Sequence, residues 1–271
     1  MLMPLNMKLS LRLNSFRISD IFSVARKMIG DPQRGVALSF LFDRELSVQF
    51  FHRFHIVKQH YLISSRLISP HTTEEMLTFI RAILTIPHDR EGCIVEAGSY
   101  KGSSSAKFSI AAKLVGRTLV ICDSFQGLPA SEEEHGMSIE NRAVIFNEGD
   151  FAGSLDEVRA NIARYGALDA CDFVEGWYDE SLVGWNREIA AMYIDIDLAA
   201  STRTCLTYLY PWLQPGAPLF SQDGHLPLVL NVFEDMSFWQ ETFGEPAPHV
   251  EGIWRKKLIC IVRPTTAERA G

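Results

Sequence analysis

The chain has 271 residues, of which 47% are hydrophobic and 22% charged, a balance typical of a globular protein. Its formal net charge of −7 argues against a general nucleic-acid surface. No apolar run approaches the roughly 20 residues of a membrane span, so we expect no membrane partner. Residues 1–71 carry a net charge of +6, which we interpret as a basic helical segment packed on an acidic domain.

Residues 1–70 are predicted to form a helical N-terminal extension. Apolar residues at helical spacing predict an amphipathic helix over residues 15–29 and further helices over 36–42 and 48–63. His52, His55 and His60 fall here, but no nearby acid or cysteine completes a metal site, so we interpret them as packing or surface residues. Because the Phe-rich faces need burial, we expect the extension to act as a lid or as a dimer interface.

The five cysteines form no CxxC pair, and three of them lie in apolar, strand-like runs. Cysteine in such runs behaves as a small core residue. This usage suits a reducing compartment, so we predict a cytoplasmic location.

A helix-start signal marks the boundary of the second domain, which we place over residues 71–271. Thr72 and Glu75 have the spacing of a capping box, and the helix that they begin is predicted to end near Leu84. From Gly92 onward, strand and helix patterns alternate, which predicts a parallel sheet with right-handed crossovers. Predicted strands cover residues 93–96, 118–122, 172–175, 189–194 and 217–221, with a final antiparallel hairpin from 249–252 and 257–262. Predicted helices cover 106–114, 155–165, 201–210 and 228–242.

A glycine turn follows the first of these strands. Glu96 closes the strand, and Gly98 and Gly102 allow a tight turn and close approach of a ligand. The serines at 103–105 are expected to cap the next helix. Asp123 ends the second strand, at the edge where open α/β sheets bind ligands, and its carboxylate can accept hydrogen bonds from both hydroxyls of a ribose.

Two nucleotide cofactors are compatible with such a turn. Dinucleotides favour Gly-x-Gly-x-x-Gly, with a helix N-terminus facing the pyrophosphate. At this turn the chain has two glycines, Gly98 and Gly102, where the dinucleotide pattern has three. Glu96 would repel a pyrophosphate, but it would suit a cationic ligand such as S-adenosylmethionine. A nicotinamide-dependent oxidoreductase and a turn without any ligand remain alternatives at this point.

Several motifs together give the chain a family resemblance. Over residues 70–260 the chain resembles the macrocin O-methyltransferase (TylF-type) family, and its motifs come in the same order as in that family. Members are S-adenosylmethionine-dependent enzymes that methylate hydroxyls of small molecules, notably natural-product sugars. The matching stretches are residues 94–102, 123–129, 149–159, 174–178, 195–198 and 210–216.

The resemblance implies a fold and a cofactor site. The fold is α/β: the Rossmann-like class I methyltransferase fold, a seven-stranded, mostly parallel sheet with helices on both faces. The methionine end of the cofactor would lie at Glu96, the ribose at Asp123 and the adenine at Trp177. The full implied cofactor-binding set is Glu96, Ala97, Gly98, Ser99, Gly102, Ser104, Asp123, Ser124, Glu175, Gly176, Trp177 and Asp195.

The resemblance also implies a magnesium site, with one departure from the family pattern. The implied ligands are Asp195 and a pair after the fifth strand, which here reads Gln222-Asp223 in place of two aspartates. A glutamine oxygen can replace one carboxylate oxygen but removes a negative charge, so we expect weaker magnesium binding or its loss.

Methyl transfer to a sugar hydroxyl calls for a base, because the hydroxyl is a poor nucleophile. Asp197 and His135 are the two candidates. His135 lies in residues 130–147, an acidic insertion that we interpret as a mobile lid, and His225 is a third possibility.

We therefore predict an O-methyltransferase with a small-molecule hydroxyl acceptor, acting as a homo-oligomer, most simply a dimer. A nicotinamide-dependent oxidoreductase and a non-catalytic cofactor-binding protein are the alternatives.

Overall fold

The structure is a computed structural model that describes residues 18–265, with side chains described from residue 22 onward. The predicted start of the first helix at residue 15 lies outside the described residues. The α-helices are α1 (Ile18–Gly30), α2 (Arg34–Phe42), α3 (Phe50–Arg66), α4 (Thr73–Leu84), α5 (Ser103–Leu114), α6 (Leu155–Tyr165), α7 (Tyr178–Ser181), α8 (Ala199–Leu209), α9 (Pro227–Glu234) and α10 (Met236–Phe243). The strands are β1 (Cys93–Ala97), β2 (Leu119–Asp123), β3 (Gly136–Met137), β4 (Ala143–Val144), β5 (Cys171–Glu175), β6 (Ile189–Ile194), β7 (Pro218–Ser221) and β8 (Ile259–Val262).

Six of these strands form the central sheet, in the order β5-β2-β1-β6-β7-β8. All neighbours are parallel except β7 and β8, which are antiparallel. The strand order reverses at β1, so the sheet is doubly wound, and in such sheets ligands bind at the carboxyl edge beside the reversal. The predicted α/β class and its mostly parallel sheet are confirmed.

The seventh predicted strand is reduced to a single bridge within the part of the chain that is described. Glu251 donates its N–H to Cys260 over 2.8 Å and accepts from the Cys260 N–H over 3.1 Å. Pairing stops there because a turn begins at Gly252, whose φ is +83° and whose carbonyl accepts from the N–H groups of Arg255 and Lys256.

Helices cover both faces of the sheet, as expected. On one face, α2 to α5 pack around Phe79, Phe108 and Tyr193, and this core is continuous from the N-terminal helices to the strands. On the other face, α8 to α10 pack around Leu206 and Trp239. The N-terminal helices are therefore part of one helical layer of the sheet domain.

The predicted capping box of α4 is confirmed. The Thr72 hydroxyl accepts from the Glu75 N–H over 3.2 Å, and the Glu75 carboxylate accepts from the Thr72 N–H over 2.7 Å. Next to it, the Asp31 carboxylate accepts from the hydroxyls of Thr73 and Tyr61, which ties the α1–α2 turn to α3 and α4.

Two helix predictions are wrong in detail. The helix expected over 228–242 is interrupted at Asp235, which has extended backbone and caps α10 by accepting from the Phe238 N–H over 3.1 Å. A side chain able to cap can divide a helix in this way. In α5 the N-cap is Gly102, in the left-handed conformation at φ +77°, and no serine hydroxyl caps that helix.

The insertion at 130–147 contains the β3–β4 hairpin. The Glu133 carboxylate accepts from the first two N–H groups of α8, those of Ala199 and Ala200, over 2.8 and 2.7 Å. The Ile139 N–H donates to the His225 carbonyl over 3.0 Å. The insertion is thus held against α8 through a carboxylate at a helix N-terminus, where negative charge is favoured. Its role as a mobile lid stays a prediction.

Within residues 18–265, no helix is both long and apolar enough to cross a membrane. All five cysteines are free thiols. Several phenylalanines of α1 to α3 stay exposed, namely Phe22, Phe42, Phe50, Phe51 and Phe54. The dimer that was expected to bury them remains a prediction. The expected cytoplasmic location also remains a prediction.

Candidate functional site

A cavity of about 920 Å³ opens at the carboxyl edge of the sheet. The segments that follow β1, β2, β5 and β6 line it from below. The α3–α4 loop and the β3–β4 hairpin enclose it from the sides. One space therefore joins the predicted cofactor turn to the predicted metal site.

The turn after β1 requires glycine at its first position. Gly98 has φ +86°, and a Cβ there would lie 1.9 Å from the backbone oxygen of Asp195. Any larger residue would separate the β1 loop from the end of β6. The glycine therefore brings the predicted cofactor turn and the carboxyl end of β6 into direct contact.

Asp123 lies at the end of β2 with its carboxylate held in one orientation. One oxygen accepts from the Ser99 N–H over 2.6 Å and from the Ser99 hydroxyl over 2.8 Å, and the other accepts from the Phe125 N–H over 2.7 Å. Burial raises the pKa of Asp123, and these hydrogen bonds oppose that shift. Because Oδ2 already accepts two hydrogen bonds, the remaining capacity for a donor such as a ribose hydroxyl lies on Oδ1.

Glu96 is completely buried beneath this turn. Neither carboxylate oxygen has a hydrogen-bond partner within the described part of the chain. Burial raises the pKa of Glu96 to about 8, although the nearby hydroxyls of Ser104 and Ser105 lower it. Glu96 does not line the cavity, and the same is true of Ala97, Gly102 and Glu175. The predicted cofactor residues that do line it are Gly98, Ser99, Ser104, Asp123, Ser124, Gly176, Trp177 and Asp195.

Three carboxylates converge at the ends of β6 and β7. One oxygen from each of Asp195, Asp197 and Asp223 lies within 4.8 Å of the others. The Asp223 Oδ2 accepts from the N–H groups of Ile196 and Asp197 over 3.0 and 3.1 Å. Its Oδ1 is buried and meets no donor among residues 18–265.

This cluster concentrates negative charge away from water. Burial and the Asp195 carboxylate raise the pKa of Asp223 to about 7. Burial, with repulsion from Asp223 and Asp195, raises the pKa of Asp197 well above its usual range. Burial also opposes ionisation of Asp195, but the charge and hydrogen bond of His71 outweigh it and lower that pKa. A cation would relieve the repulsion.

The Gln222 side chain is turned toward the core. Its Oε1 accepts from the Tyr193 hydroxyl over 2.8 Å, and the residue is fully buried. Its Nε2 has no partner in the described structure. Asp197, which was predicted as a base, is the residue that completes the trio with Asp195 and Asp223.

His71 is a site residue that sequence reasoning missed. Its Nε2 lies 2.7 Å from Asp195 Oδ2, and its side chain is only 6% exposed. The two residues are 124 positions apart, and no local pattern around His71 indicates this contact.

The other candidate bases occupy different places. The His135 side chain is 1% exposed, lies 3.2 Å from Glu133 and packs edge-on against Phe146, away from the lining of the cavity. Burial lowers the pKa of His135, while Glu133 raises it. His225 lines the cavity, and burial together with Lys257 lowers its pKa.

The outer wall of the cavity is apolar, while its polar lining is acidic. Val144, Ile145, Phe146 and Phe151 line the hairpin side, and Ile145 is 79% exposed. The lining also contains seven carboxylates, namely those of Glu75, Asp123, Glu140, Asp179, Glu180, Asp195 and Asp197, against the permanent cations of Arg142 and Lys257. Such a surface disfavours an anionic ligand.

Known sequences include a matching family and two similar methyltransferases. Residues 72–235 match the family profile described as Macrocin-O-methyltransferase (TylF). A Streptomyces olivaceus protein, 8-demethyl-8-(2,3-dimethoxy-alpha-L-rhamnosyl)-tetracenomycin-C 4'-O-methyltransferase, is 35% identical over 175 residues, 60% of this chain and 66% of its own. Demethyldecarbamoylnovobiocin O-methyltransferase of Streptomyces niveus is 31% identical over 137 residues, 49% of this chain and 52% of its own. The matches therefore span just under two thirds and about half of these relatives.

Solved structures share the fold. The O-methyltransferase NovP superposes with a TM-score of 0.60 at 24% identity, covering 74% of this chain and 84% of its own. The calicheamicin methyltransferase CalS11 superposes with a TM-score of 0.53 at 16% identity, covering 91% and 93%. At these identities the likeness concerns the fold.

Proposed function

The chain belongs to the macrocin-O-methyltransferase (TylF) family, and from this membership we propose that it transfers a methyl group from S-adenosylmethionine to a hydroxyl of a small natural-product molecule. One observation carries the proposal: a single cavity joins the Asp123 turn to Asp195 and Asp197, the two members of the carboxylate cluster that line it, while Asp223 is buried beside them. A donor bound at the first and an acceptor at the second would share one enclosed space, as a direct transfer requires.

The cofactor end fits S-adenosylmethionine, whose sulfonium supplies the methyl group. Asp123, fixed by Ser99 and Phe125, would accept from a ribose hydroxyl through Oδ1. Gly176 and Trp177 at the end of β5 would border the adenine. The pKa of the buried acid Glu96 is raised to about 8, and the cationic end of the ligand would lower it and favour the ionised carboxylate.

The carboxylate cluster fits a divalent cation. The unpartnered Oδ1 of Asp223 and the mutual repulsion of three acids are the features that a bound cation would satisfy. Asp195, Asp197 and Asp223 would hold it, while Gln222 contributes to the core through Tyr193. If magnesium were bound by these three residues, it would supply Lewis acidity toward an acceptor hydroxyl.

Asp197 is the residue that we assign as the base. Its carboxylate lines the cavity beside Asp195, and its backbone is held at φ +63° by the turn after β6. His135 is buried behind Phe146. Asp197 would offer one carboxylate oxygen to the cation, whose charge would offset its raised pKa and keep it ionised. Its other oxygen would take the proton of the acceptor hydroxyl as the hydroxyl oxygen attacks the methyl carbon and the sulfur leaves as a neutral thioether.

The acceptor that fits best is an uncharged sugar carried on an apolar group. The name of the Streptomyces olivaceus relative specifies a hydroxyl of a rhamnosyl group attached to tetracenomycin. Here Ile145 and Phe151 offer apolar surface at the cavity wall, and the acidic lining would repel the phosphates of a nucleotide sugar.

A nicotinamide-dependent oxidoreductase is the weaker candidate. The turn holds Gly98 and Gly102 but lacks the third glycine of the dinucleotide pattern, and Glu96 lies beneath it. A non-catalytic cofactor-binding protein would keep the Asp123 turn but would have no use for the charged cluster.

The test combines binding with turnover. We expect calorimetry to show micromolar binding of S-adenosylmethionine and none of NAD. Radiolabelled methyl should pass to rhamnosylated aromatic glycosides in preference to nucleotide-bound rhamnose. Tight NAD binding would favour the oxidoreductase. Cofactor binding without methyl transfer to any of the acceptors would favour the non-catalytic protein.

A further inference from the structure

The α3–α4 loop, residues 67–72, brings the N-terminal helical layer to the functional site. Four of its residues line the cavity: Ile68, Pro70, His71 and Thr72. At the carboxyl end the loop is fixed by the capping box of α4. The rigid helices behind it leave little freedom for the loop, so its side chains are presented at defined positions.

A buried lysine fixes the middle of this loop. Lys107, in α5, is only 2% exposed, and its ammonium donates to the Ser69 hydroxyl over 2.8 Å. Burial lowers the pKa of Lys107 to about 7, so placing it there has a cost. The cost is consistent with a requirement for the loop to stay in place.

Fixing Ser69 also fixes His71, two residues later. The His71 ring meets Tyr193 edge-to-face, with centroids 6.4 Å apart and planes at 86°. The Tyr193 hydroxyl in turn donates to Gln222. The amide that departs from the family pattern thus supports the ring that His71 packs against, and His71 Nε2 reaches Asp195 Oδ2.

From these contacts we propose that His71 is a positioning residue of the methyl-transfer site. By donating to Asp195 Oδ2, it fixes the rotamer of that carboxylate and leaves Oδ1 to serve a cation held with Asp197 and Asp223. The Lys107–Ser69 hydrogen bond sets the position of His71. This inference rests on the proposed function, since it assigns the N-terminal layer a part in organising that site.

Loss of a hydrogen-bonded partner behind a metal ligand typically weakens metal binding about 10–100-fold. We therefore expect His71→Ala to raise the dissociation constant for Mn²⁺, measured by calorimetry and by the free-ion electron paramagnetic resonance signal, by a factor in that range. His71→Gln keeps an N–H donor of similar reach and should recover most of the affinity.

Four further measurements separate positioning from general damage. His88→Ala, at an exposed histidine before β1, should match the wild type. S-adenosylmethionine affinity should be unchanged in all variants. In turnover, His71→Ala should need more metal for half-maximal rate while reaching a similar rate at saturating metal. Ser69→Ala and Lys107→Met should shift Mn²⁺ affinity in the same direction by a smaller factor.

Several outcomes would overturn the inference. These are unchanged or tighter Mn²⁺ binding in His71→Ala, no recovery in His71→Gln, parallel loss of cofactor binding, or a wild-type protein that binds no Mn²⁺. A wild-type protein that binds Mn²⁺ but methylates no acceptor would instead contradict the proposed function, and the Mn²⁺ titrations would still decide the role of His71.

Discussion

Two sets of acids lie at the same sheet edge, and they differ in how many hydrogen bonds the protein donates to them. Asp123 accepts three hydrogen bonds from Ser99 and Phe125, so its oxygens are fixed before any ligand arrives. At the ends of β6 and β7, three carboxylates crowd together, and Asp223 Oδ1 finds no donor in residues 18–265. The first arrangement suits a neutral diol, and the second suits a cation. The number of hydrogen bonds that the protein itself donates to each acid therefore indicates the charge of the ligand expected there.

If the two sets work independently, a change in one should leave the other intact. The largest effect is expected at Asp197. Asp197→Asn removes the proposed base and should lower kcat by roughly 10²–10⁴-fold, with S-adenosylmethionine affinity preserved. Asp169→Asn, at an exposed acid paired with Lys113, is the control. An Asp197→Asn protein with wild-type kcat would exclude this base and make His225→Ala and His135→Ala the next comparison.

Removal of the metal should lower turnover through the cluster of Asp195, Asp197 and Asp223 and leave cofactor binding unchanged. Because Lewis-acid stabilisation contributes several kcal/mol, treatment with a chelator should lower turnover by roughly 10²-fold, and added Mg²⁺ should restore it. Calorimetry on the chelated protein should show unchanged cofactor binding. Full activity after exhaustive chelation would mean that the cluster works without a cation.

A change at Asp123 is expected to weaken cofactor binding and to leave metal binding unchanged. Asp123→Ala removes an acceptor for the ribose, and a hydrogen bond to a charged group contributes about 1.5–3 kcal/mol. S-adenosylmethionine should therefore bind about 10–150-fold more weakly, while Mn²⁺ affinity stays at the wild-type value. Equal cofactor affinity in wild type and variant would show that the ribose lies elsewhere.

A smaller effect should appear in the pH dependence of stability. The pKa of Glu96 is about 8 when folded, above its ordinary value of 4.5, so the folded state binds more protons between these values and stability should fall as pH rises. The expected slope is up to ~1.4 kcal/mol per pH unit. The pKa of Lys107 is lowered to about 7, so its opposite contribution begins only above pH 7.

Urea unfolding of wild type and Glu96→Gln from pH 5 to 7 measures this slope. The slope of the variant should be shallower by up to ~1.4 kcal/mol per pH unit, because glutamine cannot ionise. The part of the slope that comes from the raised pKa values of Asp197 and Asp223 should remain. Parallel curves for the two proteins would mean that Glu96 finds a compensating partner in the folded state.

The sheet and its acids could be predicted from sequence because the signals are local. Buried apolar runs beside glycines located the central strands to within two residues, and Asp195 and Asp223 were expected to meet because parallel strands end at one edge. His71 could not be found in this way, since its contact depends on how the N-terminal layer packs against β6. The orientation of Gln222 toward Tyr193 is likewise a property of tertiary packing.

The antiparallel edge has a consequence for folding during synthesis. β7 ends at Ser221, but its partner β8 begins only at Ile259. At 5–20 residues per second, the ribosome needs roughly 2–8 s to make the roughly 38 residues between them. Through that interval a nascent chain carries β7 as an open strand edge, which is a template for aggregation. Slow codons between residues 221 and 259 should therefore lower the yield of folded protein more than slow codons within the first helices.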